Sequence, residues 1–220
     1  MMEQSQNSGP HQGLPVYTTG KPLDEAKAVM ILVHGRGASP QNILELSQEL
    51  LHPDFAYLAP QAANSTWYPY SFLEPIDRNE PGITSGLQVI ADLVAHVEAA
   101  DIPAEQIVLG GFSQGACLAS EFMARNARRY GGLLVFSGGL IGSPNTPRDY
   151  AGSLTGTPVF LGCSDVDFHI PLARVEETAV TFTNLGASVN KQIYPGMGHT
   201  IVADELVHAH KIVQSIVTTQ

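Results

Sequence analysis

The strongest constraint on this chain is a set of short, nearly unbroken apolar runs: AVMILVHG (28–35), FAYLAP (55–60), QIVLGG (106–111), GGLLVFSGG (131–139) and PVFLGCSD (158–165). A strand with one wet face alternates apolar and polar residues, so a run without alternation must be buried on both faces. Between the runs the pattern changes to a helical period. Leu87, Ile90, Ala91 and Val94 recur at helical spacing, as do Leu172, Val175, Ala179 and Phe182, and then Val202, Leu206, Ala209, Val213 and Ile216. ASPQNILELSQELL opens with a serine that can cap, Ser39, and a proline suited to the first helical position, Pro40. QGACLASEFMARNA reads as a further helix and SVNKQIYPG (188–196) as a last strand. Strands alternating with helices predict an α/β fold, its mostly parallel sheet covered by helices on both faces and joined by right-handed crossovers.

Length and composition narrow the classes. At 220 residues the chain can bury one full core, and it shows no repeat or linker, so residues 1–220 are expected to form a single domain. Residues 1–13 are expected to be flexible. With 44% hydrophobic and 15% charged residues the chain does not fit disorder. Its 11 Lys+Arg against 21 Asp+Glu leave a net charge of -10 and no basic footprint for nucleic acid. The one arginine cluster, ARNARRY, falls at a helix end, where it complements the dipole. The polar start MMEQSQNSGPHQG lacks a secretory apolar region, and no run of 18 apolar residues could span a membrane. Cys117 and Cys163 form neither a disulfide framework nor a metal-ligand spacing, and they read as buried free thiols. A cytoplasmic protein without metal or cofactor is the expectation.

In open parallel sheets, ligands collect at the carboxyl ends of the strands. The polar residues that follow the predicted strands are few: His34 to Gly37, Ser113 and Gln114, Ser137, Asp165 and Asp167, and His199. Gly111-Phe112-Ser113-Gln114-Gly115 fits G-x-S-x-G between a strand and a helix. A serine there sits in a tight, strained turn that only small neighbours permit, at the positive end of the following helix. A serine hydroxyl needs a base. Of eight histidines, His199 is the best placed, just beyond the last strand behind a glycine-rich lead-in. His11 falls in the tail, His52, His96, His208 and His210 lie on or beside helices, and His34 reads as a neighbour of the oxyanion loop. His169 lies just behind the acid candidates. Asp165 and Asp167 both follow the strand, and either one alone could orient His199. The order serine, aspartate, histidine is that of the α/β-hydrolases. Two backbone N–H groups complete the set: Gln114, directly after the serine, and Arg36 in the HGRGAS loop.

The chain resembles the phospholipase/carboxylesterase family of small α/β-hydrolases, which includes acyl-protein thioesterases and bacterial carboxylesterases. The resemblance covers nearly all of residues 28–217 and rests on VHGRGAS, GGFSQGA, the SGG after the next strand, SDVDFHIP and GMGH. It implies the α/β-hydrolase fold, with Ser113 as nucleophile, His199 as base, and Arg36 and Gln114 as oxyanion donors. Among the two aspartates the family's D-x-x-x-P register selects Asp167. Phe168 stands where the family usually has proline.

The expected reaction is hydrolysis of carboxylic esters of short to medium acyl chains through an acyl-enzyme, with thioesterase or lysophospholipase-type activity as the nearest alternative. A non-catalytic binding module of the same fold would be expected to lack one of these residues. Dinucleotide binding does not fit, because neither glycine-rich stretch has the G-x-G-x-x-G spacing. The chain has little room for a large lid domain, and residues 61–84 form a long aperiodic connection. Trp67, Tyr68, Phe72 and Leu73 from it are expected to wall the substrate pocket. The partner is a small-molecule ester, without nucleic acid or stable membrane insertion, and a homodimer is allowed.

Overall fold

The computed structural model describes residues 9–217. Seven strands form one sheet in the order β1-β3-β2-β4-β5-β6-β7. They are β1 (Val16–Gly20), β2 (Ala28–Val33), β3 (Phe55–Pro60), β4 (Ile107–Phe112), β5 (Gly132–Phe136), β6 (Pro158–Ser164) and β7 (Ser188–Tyr194). All pairings from β3 through β7 are parallel, and β1 alone runs antiparallel, beside β3. The helices are α1 (Pro40–Glu49), α2 (Gly82–Glu98), α3 (Gln114–Arg125), α4 (Leu172–Asn184) and α5 (Ala203–Val217). This is the α/β-hydrolase fold, and no large lid is inserted into it. None of its helices, among the described residues, is long and apolar enough to cross a membrane.

Side chains of the central strands divide between two cores, as the unbroken apolar runs require. Val29, Ile31, Leu109, Val135 and Leu161 pack with α2, α3 and α4 on one face. Met30, Leu32, Val108, Leu134 and Phe160 pack with α1 and α5 on the other. Each fully buried Val, Leu or Ile contributes about 1.5–3 kcal/mol, so alternate residues of one strand anchor opposite helical layers. Ser39 caps α1 as its sequence predicts. Its Oγ accepts the Asn42 N–H, the Asn42 side chain accepts the Ser39 N–H, and Pro40 occupies the first turn.

Two features of the N-terminal region depart from the sequence reading. β1 is not among the six predicted strands, because VYTTG lies at the sheet edge with Val16 and Tyr17 largely exposed and carries no apolar pattern. His11, read as part of a loose tail, is buried against the 61–84 connection. The rest of the tail expectation, residues 1–8, lies outside the described residues.

Candidate active site

Ser113 stands between β4 and α3 with φ 55° and ψ -119°. A non-glycine residue there carries strain on the order of 1–3 kcal/mol, which the surroundings must hold in place. They do so through small neighbours. A Cβ on Gly115 would come within 2.0 Å of the Val33 carbonyl oxygen, and one on Gly111 within 2.7 Å of the same atom. The glycines thus let α3 close onto the end of β2, and the Ser113 N–H donates to the Phe136 carbonyl at 3.0 Å.

Three elements bring the other groups to this turn. His199, after β7, places Nε2 2.8 Å from Ser113 Oγ. Its Nδ1 lies 2.6 Å from Asp167 Oδ2, in the loop after β6. The remaining oxygen, Asp167 Oδ1, accepts the His169 and Ile170 N–H groups at 2.8 and 3.1 Å. Burial raises the Asp167 pKa, but the bonds from His199 and the two backbone N–H groups outweigh it and hold the carboxyl below its ordinary range. Asp165, the rival, is exposed and accepts the Gly196 N–H at 2.8 Å. It fixes the approach of the loop that carries His199 and makes no bond to the ring.

Arg36 and Gln114 line one cavity with Ser113 and His199, of about 570 Å³. Neither backbone N–H donates to an acceptor among the described residues. The Arg36 guanidinium is bonded to the Pro69 and Tyr70 carbonyls at 2.8 and 2.6 Å, and so ties this loop to the aromatic connection. The Gln114 side chain bridges the same connection, accepting the Trp67 N–H and donating to the Tyr68 carbonyl.

Of the four residues expected to wall a substrate pocket, Tyr68 and Phe72 line the cavity. Trp67 and Leu73 do not. Trp67 is fully buried beneath the wall and donates Nε1–H to the His34 carbonyl, while Leu73 packs against the core. The cavity takes Phe112, Cys117, His169 and Ile170 instead. Phe112 and Ile170 are neighbours of motif residues, and adjacency to Ser113 and Asp167 was the available signal for them. Cys117, read as a packing residue, is buried as well as lining, and burial pushes its thiol up to about 12. Phe168, in the position of the usual proline, is 81% exposed and leans on the His169 ring.

A hydroxyl on a strained turn, an imidazole linking it to a buried carboxylate, and two free N–H groups over one cavity can carry out nucleophilic acyl transfer. A crystal structure of a phospholipase/carboxylesterase from Dyadobacter fermentans is 40% identical to this chain, covers 94% of it and 100% of its own chain, and superposes with a TM-score of 0.90. The acyl-protein thioesterase 1 of Debaryomyces hansenii is 28% identical over 91% of this chain and 95% of its own length. A carboxylesterase of Bacillus cereus, 17% identical with a TM-score of 0.74, shares the fold over 93% of this chain and 95% of its own. The family model for Phospholipase/Carboxylesterase matches residues 17–217. With strands β2 to β7 and the site inside that match, the chain belongs to the phospholipase/carboxylesterase family of serine hydrolases.

Proposed function

We propose that this enzyme hydrolyses carboxylic esters of short to medium acyl chains through a Ser113 acyl-enzyme. The observation that carries the reading is the continuous line Ser113 Oγ–His199 Nε2–His199 Nδ1–Asp167 Oδ2, at 2.8 and 2.6 Å, beside two N–H groups without acceptors among the described residues. Ser113 Oγ attacks the ester carbonyl and passes its proton to His199. Asp167 holds the proton of Nδ1 and stabilises the imidazolium. The Arg36 and Gln114 N–H groups meet the oxyanion, and the positive end of α3 favours it. Collapse expels the alcohol, which takes the proton from His199. Water then attacks the acyl-enzyme, giving up a proton to His199, and the carboxylic acid leaves as Ser113 regains its own.

The cavity volume and its apolar walls, Tyr68, Phe72, Phe112 and Ile170, fit acyl chains of this size. Ser113→Ala is the direct test. It should abolish hydrolysis of p-nitrophenyl butyrate and labelling by a fluorophosphonate, with an unchanged circular dichroism spectrum. Unchanged turnover removes the assignment. Thioester cleavage is the second reading, favoured by the acyl-protein thioesterase named among the relatives. It uses the same groups, and kcat/KM on an ester and thioester of the same acyl chain separates the two.

A further inference from the structure

Three buried side chains outside Ser113, Asp167 and His199, those of His11, His34 and Gln114, bond to one stretch of backbone, residues 62–68. From the inside, His34 Nε2 accepts the Ala62 N–H at 3.1 Å and the His34 carbonyl accepts Trp67 Nε1–H at 2.9 Å. Gln114 grips the Trp67 N–H and the Tyr68 carbonyl at 2.9 and 2.8 Å. The Gly37 N–H donates to the Ser65 carbonyl at 2.7 Å. Residues 62–68 therefore join the loop of Arg36 to the residue that follows Ser113.

From the outside the stretch is held by His11. Its ring is 3% exposed, accepts the Ala63 N–H at Nδ1 (3.1 Å) and donates from Nε2 to the Trp67 carbonyl (2.8 Å). This pair of bonds fits only the neutral tautomer with its proton on Nε2. Burial holds His11 below its ordinary range, against the Trp67 and Gly82 carbonyls that favour the charged form. The chain around it is anchored on α2: the His11 N–H donates to Ser85 Oγ, and Gln12 exchanges side-chain bonds with Ser85 Oγ and its carbonyl. Neither His11 nor Gln12 lines the cavity.

We propose that His11 is a positioning residue: residues 9–12 strap residues 62–68 against the Arg36 loop and the start of α3, which carry the Arg36 and Gln114 N–H groups, and so set the oxyanion geometry from outside the cavity. The inference rests on the reading of those two groups as oxyanion donors. Donors aimed at the oxyanion act chiefly in the transition state, so releasing the strap lowers kcat and leaves KM nearly alone.

The test measures kcat and KM separately for His11→Ala, His11→Asn and His11→Gln in the full-length enzyme with p-nitrophenyl butyrate. It also records the emission of Trp67, the one tryptophan of the chain, which lies 5.1 Å from the His11 ring. His11→Ala should lose about tenfold in kcat, less than the cost of removing a donor outright, with KM within about twofold. Its Trp67 emission should move to longer wavelength. His11→Gln, able to accept and donate through one amide without titrating, should recover most of the kcat and the emission. His11→Asn can accept from Ala63 at the place of Nδ1, but its amide is one methylene too short to donate to Trp67 as Nε2 does, and it should fall between the two. It also serves if the alanine variant fails to fold. Wild-type kcat in His11→Ala or His11→Asn overturns the proposal, as does a loss confined to KM. Absence of Ser113-dependent turnover in the wild-type enzyme refutes the esterase reading together with this one. Intact wild-type turnover with an unaffected His11→Asn refutes this one alone.

Discussion

Replacing Asp167 by asparagine should cripple the enzyme through the proton of His199, and the local geometry says why the amide cannot adapt. Asp167 Oδ1 receives two backbone N–H groups, from His169 and Ile170, at 2.8 and 3.1 Å. An asparagine must put its oxygen there, because the flipped amide would set NH₂ against both donors and forfeit two bonds, each worth about 0.5–1.5 kcal/mol. Its NH₂ then occupies the place of Oδ2, 2.6 Å from His199 Nδ1. Two donors cannot face each other at that distance, so His199 moves its proton to Nε2. That proton points at Ser113 Oγ, and the ring can no longer accept the serine proton. The expected fall in kcat/KM is about 10⁴-fold, which is the loss such a wrong tautomer produces in serine proteases. It corresponds to about 5.4 kcal/mol at 1.36 kcal/mol per tenfold.

Asp165→Asn is the internal control. Its exposed carboxylate accepts one N–H, from Gly196 at 2.8 Å, and an amide oxygen can do the same. The change in kcat/KM should stay within about twofold, as for surface substitutions generally. Both variants are assayed on p-nitrophenyl butyrate, with far-ultraviolet circular dichroism to confirm folding. An Asp167→Asn enzyme retaining a tenth of its activity, or a larger loss in Asp165→Asn, refutes the tautomer argument and the choice of acid with it.

Acid stability should reflect three buried groups of opposing sign. Burial lowers the pKa of His11 and of His34, so the unfolded chain binds more protons than the folded one as pH falls below about 6.5, and stability falls with it. Glu205 acts the other way. Burial raises it from 4.5 to about 7, so its folded form holds a proton that the unfolded chain releases, and stability is gained as pH falls through 7. Urea midpoints at pH 5.5, 6.5 and 7.5 should therefore fall less steeply on acidification in His11→Gln and more steeply in Glu205→Gln. Identical slopes in the variants and wild type count against these assignments. Gly115→Ala should destabilise by about 3 kcal/mol, roughly 10 °C in Tm, because its Cβ meets the Val33 backbone carbonyl at 2.0 Å, where no flexible side chain can give way. Gly198→Ala, with nothing within 4 Å of the added carbon, should melt like wild type.

The legible elements are those whose environment is written locally. A strand buried on both faces needs an apolar residue at every position, so β2, β3, β4, β5 and β6 can be read directly. β1 cannot, because an edge strand with exposed side chains needs only backbone pairing with β3, and pairing leaves no mark on side-chain type. Ser113 is marked by the glycines its strained turn requires. The proposed acid is less visible. Asp165 and Asp167 are the same residue two positions apart, and Oδ1 of Asp167 is chosen by N–H groups of a turn that folds only in the finished loop. Trp67 and Leu73 illustrate the limit on the aromatic connection. An aperiodic segment carries no signal for which face of it meets the cavity, and Tyr68 and Phe72 do so while Trp67 turns beneath them.

The histidines show most clearly what sequence position leaves undecided. His34 and His199 both follow strands, and His11 stands far from either in the chain. What separates them is the use of both ring nitrogens. In His34, Nδ1 contacts the Gly35 carbonyl and Nε2 accepts the Ala62 N–H. In His11 the partners are again one carbonyl and one N–H. Such pairs fix a neutral ring and give a proton nowhere to go, which suits a buried strut. In His199 one nitrogen faces a carboxylate and the other a hydroxyl, so the ring can take up a proton at Nε2 while the charge it gains is met at Nδ1. His169, edge-on to it at 4.9 Å, makes no bond to Ser113. The same side chain thus suits a strut, or the base proposed for His199, according to whether its two nitrogens meet backbone alone or a carboxylate and a hydroxyl, a distinction created by the meeting of β4, β6 and β7.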